Sequence, residues 1–259
     1  MFSEFERREL LKEISEVADR AGELILSIYE TDFEVRQKND KTPVTKADEL
    51  AEALILPVLK QLLPEVPAIG EEAVSQGREE AVSGNLFWLV DPVDGTEEFI
   101  RRSGEFTVNI ALIQDQIPIL GIVGAPALKR TFRACGTGTA ERRSDANAWE
   151  TISARTTPKA GPIVVSSRSH GDRQKLSAMV KDITVQRHKI MGSSLKFCLI
   201  AEGSADIYPR YGPTSEWDTA AGHAVLRGAG GCVWATEERE LLYGKAGWKN
   251  PEFLARGLL

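Results

Sequence analysis

The run Leu89-Val90-Asp91-Pro92-Val93-Asp94-Gly95-Thr96 sets the tightest limit on what this chain can become. Two carboxylates, three residues apart, stand where the apolar stretch Phe87-Trp88-Leu89-Val90 gives way to a glycine turn. A half-buried strand suits the apolar part but not bare carboxylates, unless positive charge meets them at its end. With no Cys or His nearby, these oxygens suit a hard divalent cation, Mg²⁺ or Mn²⁺, rather than zinc. Gly95 and Thr96 then offer N–H groups and a hydroxyl to the same point, which suits a phosphate. Asp-Gly is also an ordinary turn pair, an explanation that weakens as other acids are found at the ends of regular elements.

The 259 residues can bury the core of one large or two modest domains. A formal charge of −6 argues against a nucleic-acid polymer as partner, so an anionic small molecule must be met by local cations. No uninterrupted apolar run reaches membrane-spanning length, and the charge-rich first twenty residues are not a secretory signal. Cys135, Cys198 and Cys232 are scattered, which fits neither a disulfide framework nor a zinc site. They read as small core residues in a reducing compartment, the cytoplasm.

Ile14, Val17, Ala18, Ala21, Leu24, Ile25 and Ile28 predict a long amphipathic helix over the first thirty residues. A polar loop leads to Pro43-Val44-Thr45 and a second helix through about Leu63, with Pro57 expected to kink or end it. Phe106–Ile113, Ile117–Ala125 and Leu128–Ala134 read as an antiparallel meander. A soft boundary follows Gly136–Asn147, dividing the chain into 1–150 and 151–259. The second part alternates: a strand at Ile163–Ser166, a helix near Arg173–Val180 and a helix from Ser194. A strand at Ala205–Tyr208, a helix from Asp218 to about Arg227 and a strand at Cys232–Ala235 complete it. The class is α/β (α+β).

Glu71 follows Ile69-Gly70 at the end of a predicted strand, although a lone Glu there is usually a surface residue. Asp218 reads as a helix N-cap, and Thr45-Lys46-Ala47-Asp48 as a capping box. Together with Asp91 and Asp94 these acids carry more weight than any one. On the basic side, Ser193-Ser194-Leu195-Lys196 opens a helix. Arg210 closes Asp206-Ile207-Tyr208-Pro209 and can pair bidentately with phosphate. His170 ends another strand with a ring that can stack on a base. Gly136-x-Gly138 lacks the third glycine of a dinucleotide fingerprint and is set aside.

The chain resembles the Mg²⁺-dependent phosphatases of the inositol monophosphatase superfamily. The likeness rests on Asp91–Thr96, Gly70-Glu71-Glu72 and Trp217-Asp218-Thr219-Ala220-Ala221-Gly222. Gly104–Ile113, Gly192–Leu199 and Tyr208–Pro213 point within it to the bacterial 3′(2′),5′-bisphosphate nucleotidase branch. The resemblance implies a layered α-β-α-β-α sandwich with the site between two α/β domains. It implies that Glu71, Asp91 and the Val93 carbonyl hold one Mg²⁺, and Asp91, Asp94 and Asp218 a second, with a third, weaker ion allowed near Glu71. Asp48 and Thr96 would activate water. Gly95 and Thr96 would hold the scissile phosphate, and His170, Ser193, Ser194, Lys196 and Arg210 would surround the rest of a nucleotide bisphosphate. Glu71, Val93, Asp94 and Asp218 also border the substrate in this picture.

The reaction so implied is hydrolysis of adenosine 3′,5′-bisphosphate to AMP and phosphate, extending to 3′-phosphoadenosine 5′-phosphosulfate. Inositol phosphates, fructose 1,6-bisphosphate and a catalytically silent nucleotide sensor are the alternatives. Peripheral attachment to the inner membrane is allowed, although no anchor shows. Glu97 departs from the branch, which usually has Lys there, and predicts weaker substrate affinity; Val93 replaces Leu or Ile with little consequence.

Overall fold

The computed structural model describes residues 2–38, 42–78, 80–82, 84–145, 147–167, 175, 184–236 and 239–258. Helix α1 (Glu4–Tyr29) starts at a Ser3/Glu6 capping box and buries Ile14, Val17, Ala18, Ala21 and Ile25 along one face. A short hairpin, β1 (Val35–Gln37) and β2 (Pro43–Thr45), delivers the chain to α2 (Lys46–Leu62). Pro57 does not end α2, which runs five residues further. Ile55 and Leu59, both fully buried on either side of it, hold that turn in place.

A seven-stranded sheet follows in chain order: β3 (Ala68–Gly70), β4 (Leu86–Asp94), β5 (Thr107–Gln114), β6 (Ile117–Ala125), β7 (Arg130–Ala134), β8 (Glu141–Ser144) and β9 (Glu150–Thr151). Only β3 and β4 pair in parallel; the rest is the expected meander, lengthened by two strands at its far edge. The single turns α3 (Glu71–Ser75) and α4 (Thr96–Ile100) sit at the ends of β3 and β4. Successive β4 residues serve opposite faces. Trp88 and Val90 pack under α1 and α2, whereas Phe87 and Leu89 join the core on the other side.

That second core is closed by α5 (Leu195–Ala201), α6 (Trp217–Gly228) and a six-stranded sheet. The sheet contains β10 (Ile163–Ser166), β11 (Arg187–Ile190), β12 (Ile207–Arg210), β13 (Cys232–Thr236), β14 (Arg239–Glu240) and β15 (Phe253–Arg256), in the spatial order 11-10-12-15-13-14. The layers are therefore helices, sheet, helices, sheet. The helix expected near Arg173–Val180 falls, apart from residue 175, outside the described residues. Helix α6 lies so near β6 that a Cβ on Gly121 would stand 2.8 Å from that of Ala224. Close approach of this kind fixes the height of the helix, and with it Asp218 in its first turn.

Candidate metal and phosphate site

The site forms where β3, β4 and α6 end against the loop before α5. Strand β4 pairs Asp91 with Asn109 but Asp94 with Thr107, so three residues on β4 are matched by two on β5. In a regular strand, residues three apart face opposite sides; this bulge turns Asp94 back toward Asp91. Asp91 Oδ1 accepts the Val93 N–H at 3.1 Å. Asp94 Oδ2 accepts the Ser194 N–H at 2.5 Å and the Asn109 amide at 3.3 Å. Gly95, at φ +93°, turns the chain into α4.

Asp48 serves two purposes at once. Its Oδ2 closes the capping box of α2, accepting the Thr45 N–H at 2.9 Å and hydroxyl at 2.6 Å. Its Oδ1 accepts the Thr96 hydroxyl at 3.2 Å, from 48 residues away in sequence. Burial raises the Asp48 pKa to about 6 against the opposing Thr45 bonds. Glu71 opens α3, whose first N–H groups, those of Glu72 and Ala73, donate at 2.8 Å to the buried Glu52 carboxylate. A Cβ on Gly70 would stand 2.3 Å from Glu52 Oε2, so only glycine lets that carboxylate reach the turn. Asp218 is not the N-cap of α6. That position belongs to Glu216, and Asp218 Oδ2 instead accepts the Ser215 N–H at 2.9 Å.

Glu71, Asp91, Val93, Asp94, Gly95, Thr96, Ser193, Lys196, Arg210 and Asp218, ten of the residues expected at the site, all line one cleft of about 440 Å³. Ser194 backs it from beneath, its hydroxyl donating to Asn109 Oδ1 at 2.7 Å. His170 lies outside the described residues. Glu97 also borders the cleft and is held by Arg101 at 3.0 Å.

The acids push one another upward. Burial, followed by Glu71, Asp94 and Asp218, holds the Asp91 pKa well above the usual carboxylate range. Burial, followed by Asp94 and Glu71, lifts Asp218 to about 8. Asp94 reaches only about 6, since Lys196 and the Ser194 N–H oppose its burial. Among the described residues no three acidic, His or Cys side chains converge tightly enough to cage a cation outright. The donor set nevertheless fits a hard one: the buried Asp91 and the half-buried Glu71, Asp94 and Asp218 bring carboxylate oxygens of one sign to a shared cleft.

The cations lie around the rim. Lys38, a residue that sequence reasoning passed over in a polar loop, bridges Glu71 and Glu72 at 2.6 Å each. Burial works against its charge, yet the two carboxylates outweigh it and raise its pKa. Lys196 is 4% exposed, and burial lowers its pKa to about 8, partly offset by Asp94. Arg210 donates to Gly212 O, Pro213 O and Ser167 Oγ, which spends three of its five N–H groups. Glu52 was also missed, although it stands four residues after Asp48 on the face of α2 that carries Ala47, Ala51 and Ile55. Two acids on one buried helical stripe were the available signal.

Residues 6–253 match the inositol monophosphatase family model. The 3′(2′),5′-bisphosphate nucleotidase CysQ of Salmonella typhimurium is 42% identical over 248 residues, covering 94% of this chain and 98% of that protein. The enzyme of the same name from Escherichia coli K12 is equally similar. Among solved structures, CysQ from Bacteroides thetaiotaomicron superposes with a TM-score of 0.77 at 36% identity, covering 93% of this chain and 94% of that one. An inositol monophosphatase from Zymomonas mobilis gives 0.79 at 23% identity, covering 99% and 95%, and speaks for the fold alone.

Proposed function

The chain belongs to the inositol monophosphatase family, and on that premise we propose that it is a metal-dependent 3′(2′),5′-bisphosphate nucleotidase. Adenosine 3′,5′-bisphosphate and water give AMP and inorganic phosphate. One observation carries the reading: Thr96, bonded to the buried Asp48, and the acids of α3, β4 and α6 open onto the same cleft as Lys196 and Arg210. Water-activating, metal-holding and anion-binding groups are then all present on one substrate's scale.

Glu71, Asp91, the Val93 carbonyl, Asp94 and Asp218 would hold Mg²⁺, as two ions with a third near Glu71. Bound there, the metal acidifies water and neutralises charge gathering on the phosphoryl oxygens. Thr96 donates to Asp48 Oδ1 and so stands ready to orient a water and pass its proton to that carboxylate. With a pKa of about 6, Asp48 is ionised at neutral pH yet still basic enough to accept a proton. Its other oxygen stays fixed by Thr45, so the base does not swing away. Gly95 and Thr96 meet the scissile phosphate, while Ser193, Ser194, Lys196, Arg210 and His170 take the nucleoside and its 5′-phosphate. No helix among the described residues is long and apolar enough to cross a membrane.

The test is phosphate release with Mg²⁺ from adenosine 3′,5′-bisphosphate, AMP, inositol 1-phosphate and fructose 1,6-bisphosphate. Strong preference for the nucleotide bisphosphate is expected. Preference for a sugar phosphate overturns the nucleotide pocket and keeps the metal site; bisphosphate binding with no phosphate released, together with silence on all four, turns the chain into a sensor.

A further inference from the structure

The loop before β15 places one more cation at the cleft, Lys249. Its backbone is bolted to the segment that leads into α6. Glu216 N–H donates to Trp248 O at 2.8 Å, and Asn250 N–H to Thr214 O at 2.9 Å. The Asn250 side chain donates to Ser215 O at 2.7 Å and to Thr219 Oγ1 at 3.0 Å. From the other side, the fully buried Glu216 carboxylate accepts the N–H groups of Gly244 and Lys245 at 2.7 and 2.9 Å. The turn that delivers Lys249 uses two consecutive positive φ values, +73° at Gly247 and +58° at Trp248. The second is costly for a tryptophan. The fastened loop holds the exposed Lys249 at a fixed place on the edge of the cleft.

Most of the ammonium remains uncommitted. Lys249 Nζ donates at 3.0 Å to Ser215 Oγ, a neutral hydroxyl, and among the described residues this is its one bond. Two of its three N–H groups are left for the cleft. The other cleft cations are more fully engaged: Lys38 with Glu71 and Glu72, Lys196 with the Met191 and Ser193 carbonyls, Arg210 with two carbonyls and a hydroxyl. Ser215 also ties Lys249 to the acidic end, because its N–H donates to Asp218 while its hydroxyl accepts from Lys249.

We propose that Lys249 is a substrate-binding residue that donates to a non-bridging oxygen of the phosphate being hydrolysed. This rests on the nucleotidase reading above. The experiment compares wild type, Lys249→Met and Lys249→Arg on adenosine 3′,5′-bisphosphate and on adenosine 3′-monophosphate, with inorganic phosphate as inhibitor. Lys249→Met should raise KM about tenfold on both substrates, the scale of one charge-assisted hydrogen bond at a half-open site. It should weaken phosphate inhibition in parallel and change kcat less than twofold; Lys249→Arg should recover most of the loss. An unchanged KM, a rise confined to the bisphosphate, or a fall in kcat with a lowered melting temperature each overturns the proposal. If wild type itself releases no phosphate from either nucleotide, the nucleotidase reading fails and takes the proposal with it.

Discussion

Asp206 and Asp91 are equally buried, 1% and 2% exposed, and they live under opposite rules. Asp206 lies outside the cleft, where Arg155 grips both of its oxygens at 2.9 and 3.0 Å and the Ile163 N–H adds a third bond at 2.7 Å. Glu202, also outside, is held between Arg130 and Arg142. Asp91 has one backbone N–H of its own and is otherwise crowded by Glu71, Asp94 and Asp218. Asp206 and Glu202 are thus given their counter-charge directly, whereas around Asp91 the nearby Lys38 is paired with Glu71 and Glu72, and the repulsion from Glu71, Asp94 and Asp218 is only partly relieved.

The largest effect expected from this contrast is on turnover. Asp91→Asn should lower kcat on the order of 10³-fold, since it removes a charged oxygen from the centre of the proposed metal-holding cluster, while its melting temperature holds or rises. A variant that keeps activity at saturating Mg²⁺ would remove Asp91 from its central place. Asp206→Asn should do the reverse, losing ~2 kcal/mol of stability by denaturant unfolding because Arg155 and the Ile163 N–H are left without a full partner. Turnover per folded molecule should survive.

Mg²⁺ titrated into wild type should raise stability by about 2.7 kcal/mol for each ion present at a hundred times its dissociation constant. Asp218→Asn should lose the gain from the ion it helps hold and Asp206→Asn none, as calorimetry would read. A smaller effect separates the two ends of the nucleotide. Arg210→Ala should raise KM for the bisphosphate about tenfold more than for adenosine 3′-monophosphate; equal effects would move Arg210 out of the 5′-phosphate pocket.

The smallest concerns His223, fully buried on α6 beside Tyr243 at 3.1 Å. Burial depresses its pKa below the ordinary 6.5, with Glu240 pulling the other way. The fold thus favours the neutral ring. Its contribution is complete above pH 6.5 and is lost as the pH falls through that value toward the folded pKa. The raised carboxylates of the cleft work the other way on acidification, so the readout is a difference: the melting temperature of wild type relative to His223→Gln should fall as pH goes from 8 to 5. A difference that stays constant across that range would remove His223 from the pH dependence.

Much of this could be read from the residues. Asp91 and Asp94 declared themselves because charge interrupted an apolar run, and Asp48 because Thr45 stood three residues ahead of it. What could not be read was convergence. A bulge in β4 depends on its pairing with β5, and the Thr96–Asp48 bond depends on how α2 packs over the sheet. The N-cap expected at Asp218 failed because the helix begins two residues earlier than that cap requires, at Trp217, which places Asp218 in its first turn beside the cleft. Strand β15, central in the second sheet, is four residues long and left no periodicity to detect. Lys249 was silent for another reason: nothing in Gly247-Trp248-Lys249-Asn250 shows that the loop is fastened to the approach to α6.

The meeting of Gly70 with Glu52 reaches into how such a protein can change over generations. Alanine at position 70 would push the Glu52 carboxylate off the Glu72 and Ala73 N–H groups, and the turn presenting Glu71 would loosen. A shorter side chain at position 52 would tolerate that alanine but would already have given up the same bonds. The two positions therefore form an epistatic pair: either change alone is a loss, and the second adds little to the first. Variants there would be scored as catalytic defects although neither side chain faces the cleft.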